Sequence, residues 1–245
     1  LKVVILGGTR GIGRAVAREL SARGDTVFLL GRNAADLEKS VADLTTLAGA
    51  EPAGCARCDL EDPASFSPAL ARASELLGRI DAVVVCAALF ATQEELEADA
   101  ALRQRLLDVN FTKTIQFCEA ARPVLLAGGG GTLCVLSSVA GERPRKPTLL
   151  YGASKAGLSY YVEGLDYRFS RDGLKVVLVK PGFVRTGMTA QLQPPPFASD
   201  PEPVARAIVR AIDRGTPVIF VPRIWRLIMA VIRALPRPIM RRISF

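Results

Sequence analysis

The stretch Lys2-Val3-Val4-Ile5-Leu6-Gly7-Gly8-Thr9-Arg10-Gly11-Ile12-Gly13 decides the fold. Lys2–Leu6 is a short apolar run rich in β-branched residues, which predicts a strand buried on both faces. The glycines that follow permit a tight turn, and Gly13–Ala22 carries apolar residues at helical spacing. Outward from this unit the alternation repeats. Thr26–Leu30, Ala82–Cys86, Thr132–Ser137, Lys175–Lys180 and Pro217–Val221 predict further strands, and Cys58-Asp59-Leu60 is expected to end a third one. Between them Ala34–Leu47, Pro63–Leu77, Leu102–Leu126, Tyr151–Arg171 and Pro201–Arg214 predict helices. Strands without polar alternation, separated by helices, imply an α/β fold with one doubly wound parallel sheet. The Gly128–Gly131 run reads as a turn, and Gly187–Asp200 as a loop placed to cover a ligand.

Composition removes several functions. The 245 residues include no histidine, which excludes a Ser-His-Asp hydrolase, a His-paired cysteine protease and an imidazole zinc site. No metal site is expected. Nearly half the residues (49%) are apolar, so neither disorder nor a fibrous chain fits. The net charge of +8 is unevenly spread: Arg214–Phe245 holds seven arginines and no acid, leaving the first 213 residues almost neutral. That argues against a nucleic-acid groove and singles out the C-terminus. Five cysteines suit buried thiols in a cytoplasmic protein. Cys55-Ala56-Arg57-Cys58 has redox-motif spacing without a second ligand pair, and the plainer reading is small residues entering a strand.

The motifs specify the chemistry further. A glycine turn between a first strand and a helix suits a dinucleotide phosphate, although its GxxxGxG spacing differs from the commonest fingerprint. The second strand ends in Leu30-Gly31-Arg32-Asn33, without the acid that would bind a ribose 2′-hydroxyl. Arg32 and Arg10 suit a 2′-phosphate, hence NADP(H), against the alternative of two solvated arginines. Asp59 has two readings, an acceptor for adenine or a cap for the following helix. Tyr151 and Lys155 are four residues apart and share a helical face, where the ammonium is expected to lower the phenol pKa. Ser138, at a strand's C-terminal end, offers a hydroxyl to a substrate carbonyl.

Together these residues resemble the short-chain dehydrogenase/reductase family over essentially the whole chain. The resemblance implies a Rossmann fold and a catalytic set of Asn110, Ser138, Tyr151 and Lys155. It implies cofactor contacts from Gly7, Thr9, Arg10, Gly11, Ile12, Gly13, Arg32, Asp59 and Leu60. The Pro181-Gly182-Phe183-Val184-Arg185-Thr186 turn implies nicotinamide contacts through Pro181, Gly182, Val184 and Thr186. In the reductive direction Tyr151 would protonate the alkoxide, Lys155 tune the phenol and hold the ribose, Ser138 bind the carbonyl oxygen and Asn110 position a water. Two departures stand out. Leu6 replaces a usual Thr, and Cys86-Ala87-Ala88-Leu89 replaces the usual NNAG, which is expected to weaken hydrogen bonding around the sheet. Homo-oligomerisation through the helices of Leu102–Leu126 and Tyr151–Arg171 is expected by analogy.

Residues 222–245 extend beyond the expected reductase domain, 1–221. Pro222 can open a helix and Pro236 end it. Arg223, Arg226, Arg233 and Arg237 then fall within an arc of about 80°. Ile224, Trp225, Leu227, Ile228, Met229, Val231, Ile232 and Leu235 fill the opposite side. This extension is too short and charged to span a bilayer. It fits a helix in the membrane interface, with Trp225 among its anchors, or an amphipathic helix packed on the body or on a second subunit. Within the family, Ser137–Arg143, Tyr151–Leu158, Arg185–Met188, Glu94–Arg105 and the basic tail are similar to decaprenylphosphoryl-2-keto-ribose reductases. That likeness implies a lipid-linked keto-sugar, a cell-wall role and peripheral contact with the inner membrane face. Arg143, Arg145 and Lys146 would attract its phosphate, or form a solvated basic loop. The alternatives are a reductase of another hydrophobic ketone such as 3-ketosphinganine, a soluble carbonyl reductase, or a non-catalytic NADP(H) sensor.

Overall fold

A computed structural model describes residues 1–48 and 54–243. Seven parallel strands form one sheet: β1 (Lys2–Leu6), β2 (Thr26–Gly31), β3 (Gly54–Arg57), β4 (Ala82–Val85), β5 (Gly131–Leu136), β6 (Leu174–Pro181) and β7 (Val218–Val221). Their order is β3-β2-β1-β4-β5-β6-β7, with Val4 in register with both Phe28 and Val83. The order reverses between β1 and β4, so a crevice opens there at the carboxyl ends of the strands.

Alternation along each strand divides the core into two layers. Val4, Leu6, Phe28 and Val83 face one side, packed with α3 (Phe66–Leu77), α6 (Thr114–Ala127) and α7 (Leu149–Phe169). Val3, Ile5, Val27 and Val84 face the other, packed with α1 (Gly11–Ala22), α2 (Ala34–Ala48) and α8 (Pro201–Arg214). Sandwiching between two helical layers explains why the strands read as unbroken apolar runs.

The helix expected over Leu102–Leu126 is interrupted. Two short helices, α4 (Gln93–Ala98) and α5 (Ala100–Leu107), lead into a π-helical turn, Asp108–Lys113, before α6. Thr92 caps α4 through a reciprocal box with Glu95. The wide turn is held where the Thr114 hydroxyl donates to the Val109 carbonyl at 2.7 Å, and it turns Asn110 fully inward. Periodicity alone does not separate such a turn from a continuous helix. Pro63–Ser65 is likewise a 3₁₀ turn ahead of α3. Strand β3 stops at Arg57, so Asp59 lies beyond it rather than ending it.

The extension forms α9 (Ile224–Ala234) and α10 (Arg237–Arg242); Ser244 and Phe245 lie outside the described residues. No described helix is long and apolar enough to cross a membrane. The apolar side expected on the extension is divided. Trp225, Met229 and Ile232 are buried with Val139 and Phe220, whereas Ile224, Leu227 and Val231 are exposed. Trp225 therefore anchors the helix to the body, and its side chain is withdrawn from any membrane contact.

Candidate functional site

The glycine turn is a cradle that a side chain would fill. Gly7 has a φ of +85°, and a Cβ on Gly13 would lie 2.2 Å from the Gly7 carbonyl oxygen. Arg10 enters α1 in an extended conformation, and no side chain caps the helix. The first N–H groups of α1 are thus free to bind an anion beside the positive helix end. Thr9 and Ile12 are half-buried in this turn, and the Thr186 methyl lies 3.3 Å from where a Gly11 Cβ would sit. The β6 loop therefore leans over the turn and closes the crevice from the far side.

Around the end of β2, Arg10 Nη2 lies 2.7 Å from Asp36, and Arg32 lies 3.8 Å from Glu61. Glu61 also accepts two 2.7 Å bonds from Arg105, which hold its carboxyl below the usual range. Both cations are exposed and able to turn toward a phosphate, but each begins with a carboxylate neighbour. Sequence reading missed Asp36, Glu61 and Arg105, since their proximity depends on tertiary packing. Asp59 Oδ1 accepts from the Glu61 amide at 3.1 Å, which fits capping of a local turn, while Leu60 is buried. Cys55 is half-buried, Cys58 is buried, and both thiols are free; burial raises both, Cys58 to about 12. A raised, buried thiol is a poor nucleophile, so this pair gives no support to a redox centre.

The second half of the site gathers where β4, β5 and β6 end. Ser137 is structural: its hydroxyl lies 2.7 Å from Ser159 Oγ and 2.9 Å from the Lys155 carbonyl, fastening α7 to β5. Ser138, the next residue, points the other way. Its oxygen accepts from the Ala140 amide at 3.1 Å, and its hydroxyl is near enough to Tyr151 to lower the phenol pKa. Close packing maintains this approach, because a Cβ on Gly152 would lie 2.7 Å from the Ala140 carbonyl oxygen. Phe90 meets Tyr151 edge-to-face at 5.2 Å, forming an apolar wall not anticipated from sequence.

Tyr151 and Lys155 do share a face of α7, but the expected direction of the phenol pKa is reversed. The Lys155 ammonium is 5.8 Å from the Tyr151 ring centroid and donates to the Leu136 carbonyl at 3.3 Å. Burial dominates both groups: the phenol is pushed up to about 12, against a smaller lowering by Ser138, and the ammonium down to about 8. Tyr151 consequently holds its proton at neutral pH. Asn110 spends its amide on Leu89, whose amide and carbonyl it binds at 2.7 Å each. The segment replacing NNAG is therefore pinned through its backbone, with Cys86 and Ala87 also donating to the Leu6 carbonyl.

Pro181 is buried at the end of β6 and Val184 bridges to Ser199, so residues 185–198 bulge out as a closed loop. A cavity of about 680 Å³ lies there, lined by Phe183, Arg185, Thr186, Thr189, Gln191 and Pro194. The basic loop before Tyr151 serves the tail. Arg143 donates to the Leu235 carbonyl at 3.0 Å and Lys146 to the Arg241 carbonyl at 2.9 Å. Arg145 is half-buried, and burial lowers its pKa. Two of the three candidate phosphate ligands are thus engaged in seating the extension.

A nucleotide cradle beside a Ser-Tyr-Lys cluster, on a doubly wound sheet, defines a nicotinamide-dependent oxidoreductase. Residues 2–196 match the short chain dehydrogenase family, and the chain belongs to it. It is similar to an uncharacterised oxidoreductase of Streptomyces coelicolor, 36% identical over 98% of this chain and 95% of that protein. An uncharacterised oxidoreductase of Mycobacterium tuberculosis is 34% identical over 98% of this chain and 96% of its own. Among solved structures, a short-chain type dehydrogenase/reductase from Mycobacterium ulcerans superposes with a TM-score of 0.81. It covers 89% of this chain and 87% of its own at 23% identity, a likeness of fold.

Proposed function

We propose that the protein is an NADPH-dependent reductase of a ketone carried on a lipid-linked sugar, of the polyprenylphosphoryl 2-keto-pentose type. The observation that carries the reductive reading is Tyr151, half-buried beside Ser138, with its phenol pushed up to about 12 by desolvation. Of the set Asn110, Ser138, Tyr151 and Lys155, the last three meet the substrate or its proton, and Asn110, its side-chain amide committed to Leu89 rather than to a water, positions them. The glycine cradle, Arg32, Leu60 and the Pro181–Thr186 turn hold the cofactor. The exposed Arg10 and Arg32, with no acid ending β2, favour the phosphorylated form.

A bound reduced nicotinamide supplies the hydride. Ser138 Oγ donates to the carbonyl oxygen and fixes its direction. Tyr151 Oη donates its proton to that oxygen as charge develops there, giving the alcohol. Lys155 holds a positive charge next to the phenol and stabilises the phenolate left behind. Phe90, edge-on to the Tyr151 ring, covers one side of it.

The lipid-linked substrate is supported by resemblance and by the extension. Ile224, Leu227 and Val231 form an exposed apolar stripe beside Arg223 and Arg226, suited to an anionic membrane surface at the inner face. A second reading, a carbonyl reductase whose tail simply completes the site, is favoured by the burial of Trp225 against the body. Tyr160 and Tyr167, 85% and 79% exposed on α7, support a homo-oligomer through that helix. NADPH oxidation with a polyprenyl-phosphate keto-pentose, against 3-ketosphinganine and small soluble ketones, tests the assignment. Turnover confined to the soluble ketones would overturn the lipid-linked reading, and no turnover with any ketone would favour a sensor.

A further inference from the structure

We propose that Glu142 and the tail helix α9 together position the nicotinamide end of the site, with Glu142 at the junction of three segments. The inference rests on the family's use of the Pro181-Gly182 turn at the nicotinamide, and is independent of the substrate and of the choice of cofactor.

Glu142 follows Ser138 by four residues, and only 7% of its side chain is exposed. One carboxylate oxygen lies 2.7 Å from the Lys180 ammonium, itself 8% exposed. Lys180 immediately precedes Pro181-Gly182, so this pair fixes the distance between the Ser138 loop and the β6 turn. The other oxygen lies 3.2 Å from Arg233 of α9. The same helix meets both loops directly. Trp225 packs with Val139, and a Cβ on Gly182 would sit 1.9 Å from its indole nitrogen. No side chain can stand at Gly182 while α9 is seated.

A buried ion pair is weak evidence for stability, because desolvating both charges offsets most of their attraction. Its geometric value is greater. Lys180 also lies 3.4 Å from Glu163 of α7, and the Glu142 carboxylate, bound at one oxygen by Lys180 and at the other by the largely exposed Arg233, ties the loops and the helix together. Glu142, Lys180 and Arg233 do not face the Tyr151 proton, so they are positioning residues.

The chain's only tryptophan, Trp225, provides the readout. Its emission, and energy transfer to a reduced nicotinamide, is titrated in the full chain with NADPH and NADH. Displacement by 2′,5′-ADP and ADP, which lack the nicotinamide, reports the adenosine end alone. Arg233→Met and Glu142→Gln are expected to raise the Kd of the reduced cofactor about fivefold or more and to weaken the transfer. The fragments should bind unchanged, and Arg233→Lys should restore the native Kd. Equal effects on cofactor and fragment, or none on either, would overturn the proposal. Preference for NADH over NADPH would instead remove the phosphorylated-cofactor reading and leave this one standing.

Discussion

Asn110 and Leu89 are joined by a reciprocal pair of hydrogen bonds, the side-chain amide matching both backbone groups of one residue at 2.7 Å. The π-helical turn that turns Asn110 inward and the segment after β4 are thereby fixed to each other. Asn110→Ala leaves the half-buried Leu89 N–H and C=O without their partner, each costing about 1–2 kcal/mol. We expect a loss of about 2–4 kcal/mol in chemical denaturation, accompanied by a large fall in kcat. Unchanged stability would show that water replaces the amide without cost.

Lys155 makes the site costly to fold. Its pKa falls from an ordinary 10.5 to about 8, so the unfolded chain binds the proton more readily between those values. Stability is therefore lowest below about pH 8 and rises as the pH climbs toward 10.5. Tyr151 acts oppositely, shifting from 10.0 up to about 12, and stability falls again over that higher range. Lys155→Met should abolish turnover yet stabilise the fold at neutral pH by about 3 kcal/mol. Thermal unfolding of both proteins across pH would reveal it as a difference that vanishes in alkali. In the native enzyme kcat should decline as pH rises through about 8, while Tyr151 remains protonated. A profile flat across that pH would separate turnover from the Lys155 charge.

How much of this was legible in the sequence follows from range. The apolar runs of Lys2–Leu6 and Lys175–Lys180 revealed the sheet because burial on both faces leaves no polar alternation. The glycine turn was legible because turn and helix start are contiguous. Tyr151 and Lys155 were legible as neighbours on a helix, but not the direction of the phenol pKa, which depends on a burial that spacing does not encode. Arg10 with Asp36, Glu142 with Lys180, and Trp225 on Gly182 are encounters between distant segments. The π-turn at Asn110 was hidden because one extra residue in a helical turn barely disturbs the apolar pattern.

Arg10 and Arg32 give the cofactor prediction. Each is exposed and lies near a carboxylate, so neither is committed to the core. If both meet a 2′-phosphate, Arg32→Ala should raise the KM for NADPH about tenfold and leave that for NADH nearly unchanged, with Arg10→Ala weaker. Asp36→Asn should favour NADPH modestly by releasing Arg10 from its exposed ion pair. Parallel changes in both cofactors would show that the arginines act on the fold or on the shared pyrophosphate.

The tail prediction depends on which apolar face is free. Removing everything after Val221 would uncover Val139 and Phe220 and break the Arg143–Leu235 and Arg233–Glu142 contacts, confounding lipid binding with damage to the body. Leu227→Ser with Val231→Ser alters only side chains that are 66% and 65% exposed, leaving Trp225, Met229 and Ile232 in their seat. Among the described tail residues Arg233 is the arginine paired with a carboxylate, so Arg223, Arg226, Arg237, Arg241 and Arg242 remain to meet anionic headgroups. Each contributes about 1 kcal/mol near such a surface, and the two apolar side chains add their burial in the acyl boundary. The full chain should therefore float with phosphatidylglycerol-rich vesicles, lose binding in high salt, and ignore phosphatidylcholine alone. The double variant should bind at least about tenfold more weakly while its thermal stability and cofactor affinity stay native. Equal flotation of the two proteins would show that this stripe does not enter the membrane, and would leave α9 as a wall of the active site alone.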